Sequence, residues 1–366
     1  MNKTSLLGNE IELAYGKGLP QRSRTPGTFP VYGSNGQVDT HTESLIKGPG
    51  IIIGRKGSVG EVIWSDEDFW PIDTTYYVKL KNSDDSLRYW YYQLKTLGLN
   101  HLNSHSAIPG LNRDVAYAKH VIKRAPDQQK KIANILSIID EKIELNQKMN
   151  ETLKETGQTL FRHYFVNNPE AAKWKWVPIK DLCEKVASGG TPATKKGSYY
   201  GGGIQWYSTK ELKDNFLFCS EKTITDEGLN NSAAKLFPRN TVMMAIYAAP
   251  TVGRLGILTS DASFNQAACG LVAKSEVGYE FIYLYLLLSR IELNNMANGA
   301  AQQNISVGKV REFKVMRPGD ETINSFRKKI KPIFAQIKYN SEQIQTLTNL
   351  RDTLLPRLIS GNVKVN

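Results

Sequence analysis

Hydrophobic and polar positions follow two different patterns along this chain. Most of it consists of short apolar runs separated by glycine, proline and polar residues, which is typical of strands and turns. From Asp127 to about Phe165 and from about Glu321 to Leu358, hydrophobic residues instead recur every seven positions. A heptad repeat sustained this long predicts two coiled-coil helices, each about 50 Å long at a rise of 1.5 Å per residue.

Each predicted helix has two rows of seam positions. The first has Ile132, Ile139, Asn146, Leu153 and Leu160 in one row, with Ile135 or Leu136, Ile143, Met149 and Thr156 in the other. The second has Ile330, Ile337, Ile344, Arg351 and Leu358 in one row, with Phe334, Leu347 and Leu354 in the other. We expect antiparallel pairing, with Asn146 and Asn340 fixing the register. Pro332 suggests that the second helix starts later than its pattern does.

The segments before the two helices also correspond. GIIIGRKGSVGEVIWSDEDFW (50–70) aligns with NTVMMAIYAAPTVGRLGILTSDASFN (240–265), and SAIPGLNRDV (106–115) matches AAQQNISVGKV (300–310) in position. The sequence therefore predicts an internal duplication and an α+β fold. Its parts are globular domains at 1–125 and 169–320 and helices at 126–168 and 321–366, with the helices pairing as an antiparallel coiled coil.

Candidate catalytic motifs do not match the patterns that their chemistry requires. The glycine-rich run 50–62 lacks the GxxxxGK[ST] spacing of a phosphate-binding loop, and the second copy has Ala249-Pro250 in place of the basic pair. HLNSH (101–105) lacks the glutamate of a zinc protease, and no GxSxG elbow occurs. Cys183, Cys219 and Cys269 are widely spaced, which favours reduced thiols over disulfides or a zinc site. We expect a chain without catalytic or metal-binding residues.

The net charge of +12 favours an anionic partner, most commonly nucleic acid. Charge alone also fits a well-solvated basic protein. The N-terminal sequence has no signal-peptide pattern, and the apolar run Phe281 to Ser289 is too short to span a bilayer. These features predict a cytoplasmic protein.

Several motifs resemble the target-recognition domains of specificity subunits from type I restriction-modification systems. In the second domain they are Gly189-Gly190-Thr191-Pro192, Tyr200-Gly201-Gly202, Ile204-Gln205-Trp206, GAAQQNIS (299–306) and LRDTLLPRLISG (350–361). The first domain resembles another branch of the family through GKGLP (16–20) and FPVYGSNG (29–36), although it lacks the Gly-Gly-Thr-Pro opening.

This resemblance implies a non-catalytic subunit that reads a bipartite, asymmetric target in double-stranded DNA. Two DNA-methyltransferase subunits using S-adenosylmethionine would dock on its helices and methylate adenine, and restriction subunits requiring ATP and magnesium would join them. The candidates for the docking surface are apolar residues assigned outside the seam: Leu136, Ile138, Leu145 and Phe161. The chain's own domains could equally cover them. The alternatives are a coiled-coil scaffold with protein-binding globular domains and a stand-alone nuclease.

The candidate DNA contacts are basic and polar residues of predicted loops. Phosphate anchors are expected at Lys17, Arg22, Arg24, Arg55, Lys56, Lys195, Lys196 and Arg254. Base readers are expected at Ser34, Asn35, Ser104, His105, Tyr199, Gln205, Gln302, Gln303 and Asn304. Trp206 and Tyr207 are expected to pack in the sheet instead.

Overall fold

The computed structural model describes residues 3–102, 110–247, 252–298 and 304–365. The chain forms two compact units. Unit 1 comprises Met1–Glu144 and Gln345–Asn366, and unit 2 comprises Leu145–Ile344. Each long helix contributes one part to unit 1 and the other to unit 2, because both unit boundaries fall within helices.

Unit 1 is built from short strands and three short helices within the described residues. The strands are β1 (Lys3–Leu6), β2 (Ile11–Tyr15), β3 (Phe29–Gly33), β4 (Gly36–His41), β5 (Gly50–Gly54), β6 (Val62–Ser65), β7 (Trp70–Pro71), β8 (Thr75–Leu80) and β9 (His120–Lys123). The helices are α1 (Leu7–Glu10), α2 (Leu87–Lys95) and α3 (Arg113–Tyr117). The sheets have the orders β2-β8-β5-β6, β4-β3-β7 and β1-β9.

The core of unit 1 forms around the fully buried strand β5, whose uninterrupted apolar run allows no solvent-facing side. Against it pack aromatic residues of α2, including Trp90 and Tyr92. Helix α2 begins where the Ser86 side chain accepts a hydrogen bond from Tyr89 N. Leu358 belongs to this same core, so residues near the C-terminus complete unit 1.

A long helix, α4 (Pro126–Phe161), is followed by a π-helical turn at Arg162–Val166. The strands that come after it are β10 (Lys175–Pro178), β11 (Cys183–Ser188), β12 (Tyr200–Tyr207), β13 (Asn215–Leu217), β14 (Lys222–Ile224), β15 (Val242–Ala245), β16 (Leu255–Leu258), β17 (Ser263–Phe264), β18 (Ala268–Ala273) and β19 (Lys314–Arg317). The helices that come after it are α5 (Asp226–Asn230), α6 (Tyr279–Leu288), α7 (Arg290–Asn298), α8 (Val307–Glu312) and α9 (Asp320–Ser360).

The predicted duplication is present in the sheet topology. Unit 2 has the orders β11-β18-β15-β16-β13, β14-β12-β17 and β10-β19, which repeat those of unit 1 with one added edge strand, β13. In the two three-stranded sheets, β4-β3-β7 and β14-β12-β17, the middle strand pairs antiparallel with one neighbour and parallel with the other. The two units therefore share one topology.

Helices α4 and α9 pair antiparallel, as the sequence predicts. In unit 1, Arg351 Nη1 lies 2.9 Å from Asp140 Oδ1. In unit 2, Asn340 Nδ2 donates to Asn150 Oδ1 at 3.0 Å. A later position on α4 thus faces an earlier position on α9.

Three predictions about these helices are wrong in detail. Met149 and Thr156 are exposed, and Asn150 and Gly157 occupy the seam instead, because the spacing that begins at Leu136 and Ile143 continues by sevens whatever the side chain. Helix α9 starts at Asp320 and continues through Pro332. Pro332 is exposed, so water can satisfy the carbonyl that its missing N–H leaves without a helical partner.

The apolar residues proposed for partner docking divide into two groups. Leu136 is fully buried in the core of unit 1 and Phe161 is buried in the core of unit 2, so neither is available to a partner. Ile138 is 56% exposed and Leu145 is 52% exposed.

Candidate nucleic-acid interface

In unit 1 the structure brings four predicted residues together at two neighbouring loops. Ser34 and Asn35 form the turn between β3 and β4, while Arg55 and Lys56 begin the loop between β5 and β6. Ser58 Oγ donates to Asn35 Oδ1 at 3.3 Å, which links the two loops. Gly57 has a φ of +81°, and a Cβ there would lie 3.2 Å from Ser34 Oγ. This turn favours glycine because other residues rarely adopt such a φ.

Arg55 is held in place by backbone and aromatic contacts. Its Nε and Nη2 donate to the Asp73 carbonyl oxygen at 3.1 and 2.7 Å. Its Cζ lies 5.2 Å from the Tyr15 ring centroid and 5.9 Å from that of Tyr76. Burial raises the pKa of Tyr76 to about 12, so this phenol stays neutral beside the guanidinium. Sequence reasoning missed a second arginine here, Arg113, whose Cζ lies 5.0 Å from the Tyr15 ring centroid.

The other basic candidates of unit 1 differ in their neighbours. Lys17 is exposed, with Nζ 6.0 Å from the Trp70 ring centroid, and Trp70 Nε1 donates to the Lys17 carbonyl. Arg22 is exposed in a 3-10 turn. Arg24 is partly neutralised, since its Nη1 donates to Asp39 Oδ2 at 3.3 Å. A backbone hydrogen bond from Thr40, helped by Arg24, lowers the pKa of that carboxyl.

In unit 2 the two adjacent lysines have different surroundings. Lys195 is exposed. Lys196 Nζ forms an ion pair with Glu227 at 2.9 Å and lies 4.2 Å from the Tyr199 ring centroid. The hydrogen bond to Glu227 raises the pKa of Lys196. Tyr199 is 7% exposed and its hydroxyl donates to the Asn231 carbonyl, which weighs against direct contact with a base.

Gln205 lies in strand β12 and not in a loop. Its Oε1 accepts hydrogen bonds from Ser220 N at 2.6 Å and from Ser220 Oγ at 2.8 Å. These bonds tie β12 to the segment before β14, so the side-chain oxygen already has partners within the protein. Trp206 and Tyr207 are buried in unit 2, as the sequence predicts.

The remaining candidates are half-buried or lie outside the described residues. Arg254 and Asn304 are both half-buried. Four predicted base readers, Ser104, His105, Gln302 and Gln303, lie outside the described residues.

The Gly-Gly-Thr-Pro motif forms a tightly packed segment directly after strand β11. A Cβ on Gly189 would lie 2.0 Å from the Phe264 carbonyl oxygen, and one on Gly190 would lie 2.0 Å from that of Ala233. Trp206 Nε1 donates to the Gly190 carbonyl at 3.0 Å. The glycines are required because backbone segments approach too closely for any side chain.

Within the described residues, no group of three or more His, Cys, Asp or Glu side chains is arranged to hold a metal ion. No helix in the same residues is long and apolar enough to cross a membrane. Burial raises the pKa of both Cys183 and Cys269 to about 12, whereas Cys219 is exposed.

Comparison with known families accounts for this duplicated arrangement. Residues 11–155 and 171–349 match the family described as the type I restriction modification DNA specificity domain. Because these two matches span most of the chain, the chain belongs to this family. Its members recognise DNA sequences as specificity subunits, so the resemblance found in the sequence is confirmed.

Two curated relatives are specificity subunits of type I restriction enzymes. The HindI subunit of Haemophilus influenzae is 24% identical, over 65% of this chain and 68% of its own length. The MjaIX subunit of Methanocaldococcus jannaschii is 22% identical, over 76% of this chain and 68% of its own length. The crystal structure of a type I S subunit from M. genitalium aligns with a TM-score of 0.70 at 15% identity, covering 100% of this chain and 97% of that one. This likeness confirms the predicted α+β fold class.

Proposed function

We propose that this chain reads a bipartite, asymmetric DNA target and delivers methyltransferase subunits to it. Each unit recognises one half of the target through the loops next to its three-stranded sheet. Helices α4 and α9 form the docking element for two modification subunits. The adenine methylation chemistry, with S-adenosylmethionine, belongs to those partners, as do the ATP- and magnesium-dependent steps of any restriction subunit.

The observation that carries the proposal is one sheet topology occurring twice with different side chains at matching positions. Strand β2 ends at Tyr15, opposite Tyr76, whereas β11 ends at Ser188, opposite Cys269. Strand β3 has five residues, whereas β12 has eight and includes three consecutive glycines. Two related but chemically different units suit two different half-sites, which disfavours a palindromic target, since palindromes match identical readers.

The positive charge supports DNA as the partner. Arg22, Lys56 and Lys195 are exposed, and a phosphate contact by any of them releases counterions whatever the sequence. Asn35 lies at the tip of a turn, and its amide nitrogen is a donor. Its oxygen accepts one hydrogen bond, from Ser58 Oγ at 3.3 Å, and keeps a second lone pair for an adenine edge. We assign Arg22, Lys56 and Lys195 to phosphate contact. In unit 1, we assign Asn35 to base reading.

The test is genome-wide mapping of adenine methylation in a heterologous host that expresses the cognate methyltransferase gene, with and without this chain. A split, asymmetric motif methylated in the presence of both proteins is the expected result. Unchanged methylation despite a purified complex would overturn the proposal and favour a coiled-coil scaffold. A palindromic motif would overturn the two-reader assignment.

Two variants sharpen this experiment. Asn35→Ala is expected to relax the motif in one half-site and leave the other unchanged. Arg22→Gln is expected to lower methylation at all sites alike, because a phosphate contact carries no sequence information. If Asn35→Ala altered both halves equally, its assignment to one half-site would be wrong.

A further inference from the structure

Three side chains at the end of β2 form a group that we call the Tyr15 cluster: Tyr15, Arg55 and Arg113. Tyr15 is the last residue of the strand and is 52% exposed. The Cζ atoms of Arg55 and Arg113 lie 5.2 and 5.0 Å from its ring centroid. Two guanidinium groups are therefore held at one exposed aromatic ring.

Ring packing and hydrogen bonds to the backbone hold the Tyr15 cluster in position. The Tyr15 ring packs against that of Tyr76 with centroids 5.1 Å apart, and Tyr76 Oη donates to the Leu111 carbonyl at 3.2 Å. The Asp73 carbonyl anchors the Arg55 guanidinium. Arg113 is the first residue of α3, whose N-terminus is capped by the side chain of Asn112. A ligand would meet guanidinium groups that are already positioned.

The charge of the cluster is not neutralised by the residues around it. In the described part of the chain, neither arginine forms an ion pair with a carboxylate, and Asp73 contributes its backbone oxygen to Arg55. Lys17 follows Tyr15 by two positions, Lys56 follows Arg55 directly, and both are exposed. Guanidinium groups bind phosphates and carboxylates alike through paired N–H donors, so this surface suits an anionic ligand, and the DNA of the proposed function supplies phosphates.

Among the described residues of unit 2, the duplicate does not reproduce this cluster. At the corresponding strand end, unit 2 has Ser188 opposite Cys269, without an aromatic ring on which an arginine can stack. The sheet topology therefore does not require the Tyr15 cluster for folding, which favours a role for the cluster in binding.

We infer that the Tyr15 cluster is a phosphate clamp, through which unit 1 grips the DNA backbone beside the bases that it reads. Arg55 and Arg113 bind the phosphate oxygens, and Tyr15 holds the two guanidinium groups in position. The inference rests on the proposed function and adds Tyr15, Arg55 and Arg113 to the contacts that it assigns. The clamp supplies affinity and orientation and carries no base specificity.

The test uses the purified complex of this chain with its methyltransferase subunits. Binding is measured by fluorescence anisotropy at several salt concentrations, on a duplex carrying the mapped target and on a scrambled duplex of equal length. Arg113→Gln is expected to weaken binding to both duplexes by the same factor, about ten-fold. It is also expected to reduce the slope of log affinity against log salt by about one.

Lys79→Gln is the matched control, because it removes one positive charge from the same unit at a lysine that already pairs with Glu12 at 3.6 Å. Tyr15→Phe keeps the ring and is expected to bind as the wild type does, whereas Tyr15→Ala should resemble Arg113→Gln. Arg113→Lys retains the charge and is expected to restore most of the salt slope. Thermal unfolding midpoints for all variants separate lost binding from lost folding.

The outcomes separate the clamp from the proposed function. If Arg113→Gln and Lys79→Gln weaken binding equally, the clamp is wrong, and it is also wrong if Arg113→Gln affects the target duplex alone. If the wild-type complex does not distinguish the two duplexes, the proposed function is wrong. In that case the loss of affinity in Arg113→Gln, compared with that in Lys79→Gln, still shows whether the cluster binds phosphate. If Arg113→Gln fails to fold, Arg55→Gln and Tyr15→Ala decide by the same criteria.

Discussion

Asn340 donates a hydrogen bond from Nδ2 to Oδ1 of Asn150, 3.0 Å away, between helices α9 and α4. Both amides are buried, and Asn150 Nδ2 in turn donates to Ser341 Oγ at 3.1 Å. Asn146, one turn earlier on α4, is 2% exposed, and its Nδ2 has no hydrogen-bond partner among the described residues. A polar layer therefore interrupts the apolar seam, and it fixes the register because slipping the helices would leave these amides unpaired.

Replacing one member of the asparagine pair is expected to destabilise the protein. Asn340→Leu leaves the amide of Asn150 buried with an unsatisfied acceptor, which costs about 1–3 kcal/mol. The double variant Asn150→Leu/Asn340→Leu removes both polar groups and is expected to recover most of this loss. Urea unfolding followed by circular dichroism measures both.

The exposed neighbour Met149 provides the control, since Met149→Gln is expected to change stability by less than about 0.5 kcal/mol. If the double variant lost as much stability as the two single variants together, the asparagines would not be energetically coupled.

Gly190 and Gly203 allow a matched test of the packing of the Gly-Gly-Thr-Pro segment. Gly190→Ala places a Cβ 2.0 Å from a carbonyl oxygen, whereas nothing lies within 4 Å of the corresponding position at Gly203. We expect Gly190→Ala to destabilise the protein by about 1–3 kcal/mol and Gly203→Ala to be nearly neutral. Thermal unfolding distinguishes the two. Equal effects would show that the Gly-Gly-Thr-Pro segment tolerates a side chain and that its glycines serve another purpose.

The free energy of unfolding is expected to depend on pH through the buried carboxyl of Glu280. Burial raises the pKa of this carboxyl above its ordinary value of 4.5, although Arg327 and Lys331 oppose the shift. The folded protein therefore holds this proton more tightly than the unfolded chain does. The stability that the protonated carboxyl contributes is lost as pH rises from 4.5 through the raised folded pKa.

Glu280→Gln removes that titration. The difference in unfolding temperature between Glu280→Gln and the wild type is expected to be more favourable to the variant at about pH 8 than at about pH 4. Differential scanning calorimetry at both pH values measures it. The exposed Glu292→Gln serves as the control. A constant difference at both pH values would mean that Glu280 titrates normally in the folded protein.

The cysteines are expected to differ in reactivity. With pKa values of about 12, Cys183 and Cys269 are almost entirely protonated at neutral pH, and both are buried. A thiol reagent should therefore modify one of the three cysteines in the native protein and all three in denaturant. The native signal should disappear in Cys219→Ser. Rapid modification of two or more thiols in the folded protein would contradict this assignment.

Local patterns in the sequence predict the helices and the duplication well. Seven-residue spacing depends on helix geometry alone, so the seam of α4 can be located from the spacing of Leu136 and Ile143. The prediction for Met149 is wrong because it takes the hydrophobic side chain one position before the seven-residue spacing from Ile143, and Thr156 repeats that displacement seven positions later. Asn150 and Gly157 hold the seam positions despite being polar or small.

The candidate interface is harder to predict because its parts are distant in sequence. Tyr15, Arg55 and Arg113 come from the end of a strand, a loop and the start of a helix, and no local pattern links them. Gln205 is a candidate by its side-chain type, but Ser220 already satisfies its oxygen. Residue type indicates which contacts a side chain can make, whereas the tertiary fold decides which are already made.

Unit 1 is discontinuous in the sequence, and this has a consequence for synthesis on the ribosome. Its core includes Leu355, Leu358 and Ile359, and Arg124 Nη2 donates to the Ile359 carbonyl at 2.8 Å. The roughly 200 residues of unit 2 are translated before these residues. At about 5–20 residues per second, this delay is on the order of 10–40 seconds. During that time the apolar surface of unit 1 that these residues later cover has no partner from the C-terminal segment, and transiently exposed surface of this kind favours aggregation.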